Sequence, residues 1–150
     1  MIKLAIGVIK MKKHFEKFLK EQGLLPLKNG KWNKMTVDHT KESEPTGRKS
    51  EVKRKITKTV KGLKGVYIYK YQDQILYVGE GNLERRLKRH YNKSYKPSKS
   101  KRAKKGHDFF GSYRHVLDVY YLEVQDKYTR KAIEAMLTVV LEPEWVKRYG

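Results

Sequence analysis

Between Gly65 and Gly79 the chain reads Gly-Val-Tyr-Ile-Tyr-Lys-Tyr, Gln-Asp-Gln, Ile-Leu-Tyr-Val-Gly. Tyrosines and aliphatics alternate on both sides of the polar tripeptide, which is the period-two pattern of a strand. Two such runs joined by Gln72-Asp73-Gln74 predict an antiparallel hairpin with a three-residue loop. Opposing Tyr71 with Ile75 sets Tyr69 against Tyr77 and Tyr67 against Gly79, because antiparallel partners keep a constant index sum. One face then holds Val66, Ile68, Leu76 and Val78, and the other collects Tyr67, Tyr69 and Tyr77.

The rest of the chain divides around this hairpin. Met11, Phe15, Phe18 and Leu19 recur at helical spacing over 10–22, with Gly23 placed for a left-handed cap. From Pro26 to about Leu63 the periodicity fails, broken by Asn29-Gly30, Pro45 and Thr46-Gly47 and by the charge run Lys53-Arg54-Lys55. Residues 1–63 therefore read as a basic N-terminal extension with one helix, and 64–150 as the main domain. Leu83, Leu87 and Tyr91 mark a helix with Asn82 as its N-cap. Residues 93–105 carry seven Lys/Arg and no acid and read as an exposed loop. Val116–Val124 predicts a further strand, and Tyr128–Leu141 a helix with Ile133, Met136, Leu137, Val140 and Leu141 inward, ended by Pro143.

With 150 residues the chain has room for one ordinary domain plus an appendage. Its 36 Lys and Arg against 16 Asp and Glu give a formal charge of +20, which calls for a polyanionic partner. The absence of Cys excludes disulfides, thiol nucleophiles, zinc ribbons and iron–sulfur clusters. The longest apolar run, Leu4–Ile9, is six residues, far short of a membrane span, so the expectation is a cytoplasmic protein with no membrane partner.

Two polar residues fall on or beside apolar stripes. At about 100° per residue, Glu134 borders the stripe of Ile133, Leu137 and Leu141. A carboxylate there needs a cation, either Lys/Arg in a peripheral salt bridge or a metal ion. His90 falls inside the stripe of Leu83 and Leu87, and Arg86 lies at its edge one turn away. Taken singly, His90 reads as a packed core residue and Tyr67 and Tyr77 as ordinary strand aromatics. Asp38, His39 and Glu42 lack a further residue to complete a metal shell.

In combination the order is more specific. Gly65-Val66-Tyr67, Tyr77-Val78-Gly79, Arg86-Leu87-Lys88-Arg89-His90, and Glu134 in an apolar helix nine residues before Pro143 resemble the GIY-YIG nuclease superfamily over residues 65–146. The resemblance implies an α+β fold, a small three-stranded antiparallel sheet flanked by helices. It also implies hydrolysis of phosphodiesters in nucleic acid with one Mg²⁺ or Mn²⁺ ion per site, DNA being the leading substrate and RNA the weaker reading. Tyr67 and Tyr77 would be the signature tyrosines, Arg86 the signature arginine, with Arg85 its rival, and Glu134 the metal ligand. His90 matches a histidine of many members. Tyr67 would activate water, either as a phenol acidified by cations or as a positioner that hands a proton onward, and His90 would relay a proton or contact phosphate. Where relatives commonly carry Asn after the proline, this chain has Val146. The basic residues Lys53, Arg54, Lys55, Arg85, Lys88, Arg89, Lys93, Lys96, Lys99, Lys101, Arg102, Lys104 and Lys105 would track the nucleic-acid backbone. Base contacts, if made, would come from Asn29, Trp32, Asn33 and His39. A homodimer on DNA is one way to cut both strands. The competing reading is a non-catalytic nucleic-acid-binding protein that keeps a degraded form of the same site.

Overall fold

A computed structural model describes residues 2–28, 30–40, 51–94 and 101–150, apart from the side chains of 2–6, 8 and 101–103. Among them, β1 (Asn33–Asp38), β2 (Lys64–Tyr71), β3 (Gln74–Asn82) and β4 (Val116–Glu123) form one antiparallel sheet in the order β1-β4-β2-β3. The helices are α1 (Ile2–Glu21), α2 (Glu51–Val60), α3 (Leu83–Lys93), α4 (Lys101–Gly111), α5 (Lys127–Leu141) and α6 (Glu144–Tyr149). None of the described helices is long and apolar enough to cross a membrane.

The sheet therefore has four strands where the sequence predicted three. The added strand is β1, whose Met35 and Val37 pair with Val119 and Leu117 of β4. Two inward residues in Asn-Lys-Met-Thr-Val-Asp make too short an alternation to stand out between turn residues. The extension read as carrying one helix also holds α2, where Val52, Ile56 and Val60 are buried on one face. The charge run Lys53-Arg54-Lys55 lies between these apolar positions and masked their spacing of four.

The hairpin keeps its predicted register from Tyr69↔Tyr77 to Tyr67↔Gly79 but reaches it differently. Its turn is the two-residue Gln72-Asp73, with Tyr71 opposite Gln74, and a bulge between Tyr69 and Lys70 supplies the compensating residue. Gln72 carries the positive φ of 52° that such a turn requires. Two adjacent residues of a bulged strand face the same side. Leu76 accordingly packs with the tyrosines, and Ile75 takes the opposite face.

Helices cover both faces of the sheet. Tyr67, Tyr69 and Leu76 pack under α2, α3 and α4, through Ile56, Leu87, Tyr91, Phe109 and Phe110. Val66 and Ile68 pack against α1 and α5, through Leu19, Ile133 and Leu137. Met11 and Phe18, predicted on the inner stripe of α1, are 40% and 43% exposed. The segment 93–105 is not a continuous loop: α3 runs to Lys93 and α4 is already helical at Lys101. After α5 the chain turns through Glu142 at φ 48°, and Pro143 leads into α6, which the sequence did not suggest.

Candidate active site

The site grows from the tyrosine face of the hairpin. Tyr67 and Tyr69 are buried, and the Tyr67 ring stacks on Tyr77 at 6.1 Å and 19°. Tyr67 lies across its cross-strand partner Gly79, where a Cβ would collide with the phenol hydroxyl and ring. The glycine of the second triplet thus leaves the space that the tyrosine of the first one fills.

Helix α3 delivers the next two groups. Asn82 caps it by accepting from the Arg85 amide at 3.0 Å, which fixes the phase of the helix. His90 turns inward, fully packed, with Nε2 2.7 Å from the Tyr67 hydroxyl. The imidazole also meets Tyr77 at 4.7 Å and stacks on Phe110 at 4.6 Å and 28°. Arg86 sits one turn earlier, with a buried Nε that has no hydrogen-bond partner among the described residues. It passes over Gly81, whose φ of 132° and missing side chain let Nε come within 3.1 Å of the Cβ position. Arg85 is exposed. Arg86, not its neighbour, faces the tyrosines.

Glu134 comes from α5, which packs against the edge strand β3. It is half-buried and makes no ion pair among the described residues. Its carboxyl is pushed above the ordinary range by burial and by Glu80, against the pull of Lys131 and Arg86. Glu80 is itself held by Arg130 at 2.9 Å and Lys131 at 3.9 Å.

Charge reaches both phenols. Burial raises Tyr67 well above the usual tyrosine value; Tyr77 and Tyr69 add to this, Arg86 opposes it and Glu134 reinforces it. Tyr77 is raised by burial and then by Glu134, again against Arg86. His90 is held well below the ordinary histidine value by burial, and further by Lys93, His39, Arg86 and Arg89. Near neutral pH, then, Tyr67 is a phenol and His90 a neutral imidazole. An acidified Tyr67, one of the two expected states, is not what this environment produces. The phenol can donate to Nε2 of a neutral His90 when Nδ1 carries the imidazole proton.

No group of three or more His, Asp or Glu positioned to hold a metal comes together among the described residues. Glu134 alone is a suitable ligand for a hard divalent ion. Such an ion takes one or two carboxylates and fills its remaining positions with water and substrate oxygens, and the Glu134 carboxylate has no competing cation bonded to it.

Other expected contacts fall differently. Trp32 is buried and donates through Nε1 to Leu24 O at 2.9 Å, and His39 is buried with Nδ1 2.7 Å from Ser94 Oγ. Neither side chain is placed to read a base. Asn33 is exposed, while Asn29 and Glu42 lie outside the described residues. Lys88 pairs with Glu84 at 3.4 Å, and Lys55 donates to Thr36 Oγ1 at 2.9 Å. Lys53 is half-buried; Arg54, Arg89, Lys104 and Lys105 are exposed. Lys96 and Lys99 lie outside the described residues, as do the side chains of Lys101 and Arg102. Val146, at the position expected of Asn, is 37% exposed on α6, and it is Trp145 that packs on Tyr77, at 5.5 Å.

Sequence reading missed Phe110, Trp145 and Glu80. Phe109-Phe110 and Trp145 were visible as aromatics, but the elements that carry them were not predicted. An apolar groove of about 560 Å³ lies on the other side of the sheet, lined by Phe18, Leu24, Tyr128, Ile133 and Met136. Comparison of the chain with protein-family models, curated proteins and solved structures finds no match.

Proposed function

We propose that the protein is a divalent-metal-dependent DNA endonuclease of GIY-YIG type. The observation that carries this reading is the Tyr67–His90 hydrogen bond of 2.7 Å beneath Tyr77, with the charges of Arg86 and Glu134 both felt at the two phenols. Phosphodiester hydrolysis needs a base for water, a cation for the phosphate oxygens and a stabiliser for the leaving oxygen. These residue types supply all three.

Tyr67 hydrogen-bonds the attacking water through a lone pair, because its own proton is engaged by His90. As the water oxygen bonds to phosphorus, its proton passes to the Tyr67 oxygen and the phenol proton passes to His90 Nε2. Tyr67 is thereby regenerated in the same step. His90 starts neutral and so can accept, and because the same burial disfavours its imidazolium the proton is held only transiently. Arg86 meets the non-bridging oxygens with the terminal nitrogens of its planar guanidinium. Tyr77 packs over Tyr67 and limits its ring to one orientation. Glu134 would hold one Mg²⁺ or Mn²⁺ ion, which supplies charge stabilisation at the leaving oxygen. The P–O bond breaks, the leaving oxygen takes a proton from solvent, and His90 returns the proton it received through Tyr67 to solvent. One such site cuts one strand, so duplex cleavage takes a second protomer or a second visit.

The test is incubation of the purified chain with labelled duplex, single-stranded and branched DNA and with RNA, with and without Mg²⁺ or Mn²⁺. The reading expects metal-dependent cuts in DNA. Binding without cuts in any substrate would leave the non-catalytic alternative.

A further inference from the structure

Arg86, Arg89 and Lys93 follow one another along α3 at steps of three and four residues, which places them on one stripe of the helix. No Asp or Glu lies within ion-pair distance of any of them among the described residues, though the same helix pairs Lys88 with Glu84. They crowd one another: the Lys93 ammonium is pulled below its ordinary value by burial, then by Arg89 and Arg86. Like charges gathered in half-buried space favour whatever anion can enter.

Glycine makes the room. Gly106 of α4 is buried against Lys93, and a Cβ there would lie 3.0 Å from Lys93 Cδ, 3.2 Å from Cε and 3.1 Å from Nζ. Gly81 does the same for Arg86. Two cations of one helix are thus each admitted by a glycine of a neighbouring element. Arg86 and Lys93 are seven residues apart, about 10 Å along a helix axis. That separation suits two successive phosphates better than one.

We propose that Lys93, admitted by Gly106, binds the backbone phosphate of DNA that flanks the scissile one held by Arg86. This rests on the DNA-nuclease reading and extends it to a subsite and to the glycine that builds it. A side chain at 106 would displace only the flexible end of Lys93, so the subsite can be narrowed without disturbing the core.

The experiment measures binding of the full chain to fluorescein-labelled duplex DNA in EDTA between 50 and 200 mM KCl. Lys93→Gln should weaken binding and lower the magnitude of the log–log salt slope by about 0.9, and Gly106→Ala, which shifts the end of Lys93 without removing its charge, should weaken binding by a smaller factor. The double variant should match Lys93→Gln, since without the lysine the methyl group has nothing to displace. Lys93→Arg should keep the slope. Gly106→Ala should melt at or above the wild-type temperature, because alanine favours the helix. Unchanged binding in Gly106→Ala, or additive losses in the double variant, would overturn the proposal. A chain that shows these effects but cuts nothing in Mg²⁺ loses the nuclease reading and keeps the subsite. A chain that cuts, with Gly106→Ala binding like wild type, loses the subsite alone, and a wild type that binds no DNA overturns both.

Discussion

Gly79 and His39 show how single residues in this protein trade stability against site geometry. Gly79→Ala would drive a methyl group into the buried Tyr67 phenol. Overpacking of that kind costs about 1–3 kcal/mol, and urea denaturation should register a loss of this size. Tyr67→Phe leaves His90 Nε2 buried without its partner, which should cost about 1–3 kcal/mol in urea, and it should abolish the proton transfer to His90, read as lost cleavage under single-turnover conditions where the variant is still folded. His39 has a different cost. Burial pulls it down to about 4, opposed by Asp38, whereas in the unfolded chain it titrates near its ordinary 6.5. Between those values the unfolded state binds more protons than the folded one. Stability is therefore complete above pH 6.5 and declines as the pH falls toward 4, by about 3 kcal/mol from His39 alone. His90 is lowered as well and acts in the same direction. Urea melts at pH 7.5 and 4.5 check this: His39→Gln should narrow the difference between the two pH values, and an unchanged difference would contradict it.

At the scale of elements, α1, β1 and α2, which precede residue 64, are packed into the folded body. Met35 and Val37 of β1 and Val52, Ile56 and Val60 of α2 belong to the same core as Tyr67, Leu87 and Tyr91. Ile56→Ala should cost about 2–5 kcal/mol in chemical denaturation, the range for emptying a buried aliphatic site. A loss under about 0.5 kcal/mol, usual for surface positions, would mean that α2 is not packed as described. These elements were hidden in the sequence because their apolar positions are few and are separated by lysines, so local periodicity is weak where the sheet and α3 decide the structure. The hairpin, α3 and α5 were legible because their apolar spacing is dense and Asn82 marks a start. At the site, Tyr67, Tyr77, Arg86, His90 and Glu134 were legible only together, through the resemblance that their order bears to a known family; taken singly they read as core or peripheral residues. Two things were not legible. The phenol's protonation state depends on its burial among Tyr69, Tyr77 and His90, and Leu76 changes face through a bulge that compensates for a shorter turn and so leaves the register of the tyrosines intact.

For the whole molecule, a charge of +20 is too large to leave its surface indifferent to polyanions. If about 6–10 phosphates are neutralised, DNA affinity should fall roughly 10³–10⁵-fold between 50 and 200 mM salt, and a flat titration would contradict backbone tracking. Charge alone gives affinity; cleavage needs the acid on α5 brought to the tyrosines of the sheet. The most direct measurement is therefore single-turnover cleavage in Mg²⁺ by wild type and Glu134→Ala, with DNA binding followed in parallel. The account predicts that the variant loses cleavage and binds as tightly as wild type or more so. A variant that cuts at the wild-type rate would contradict it.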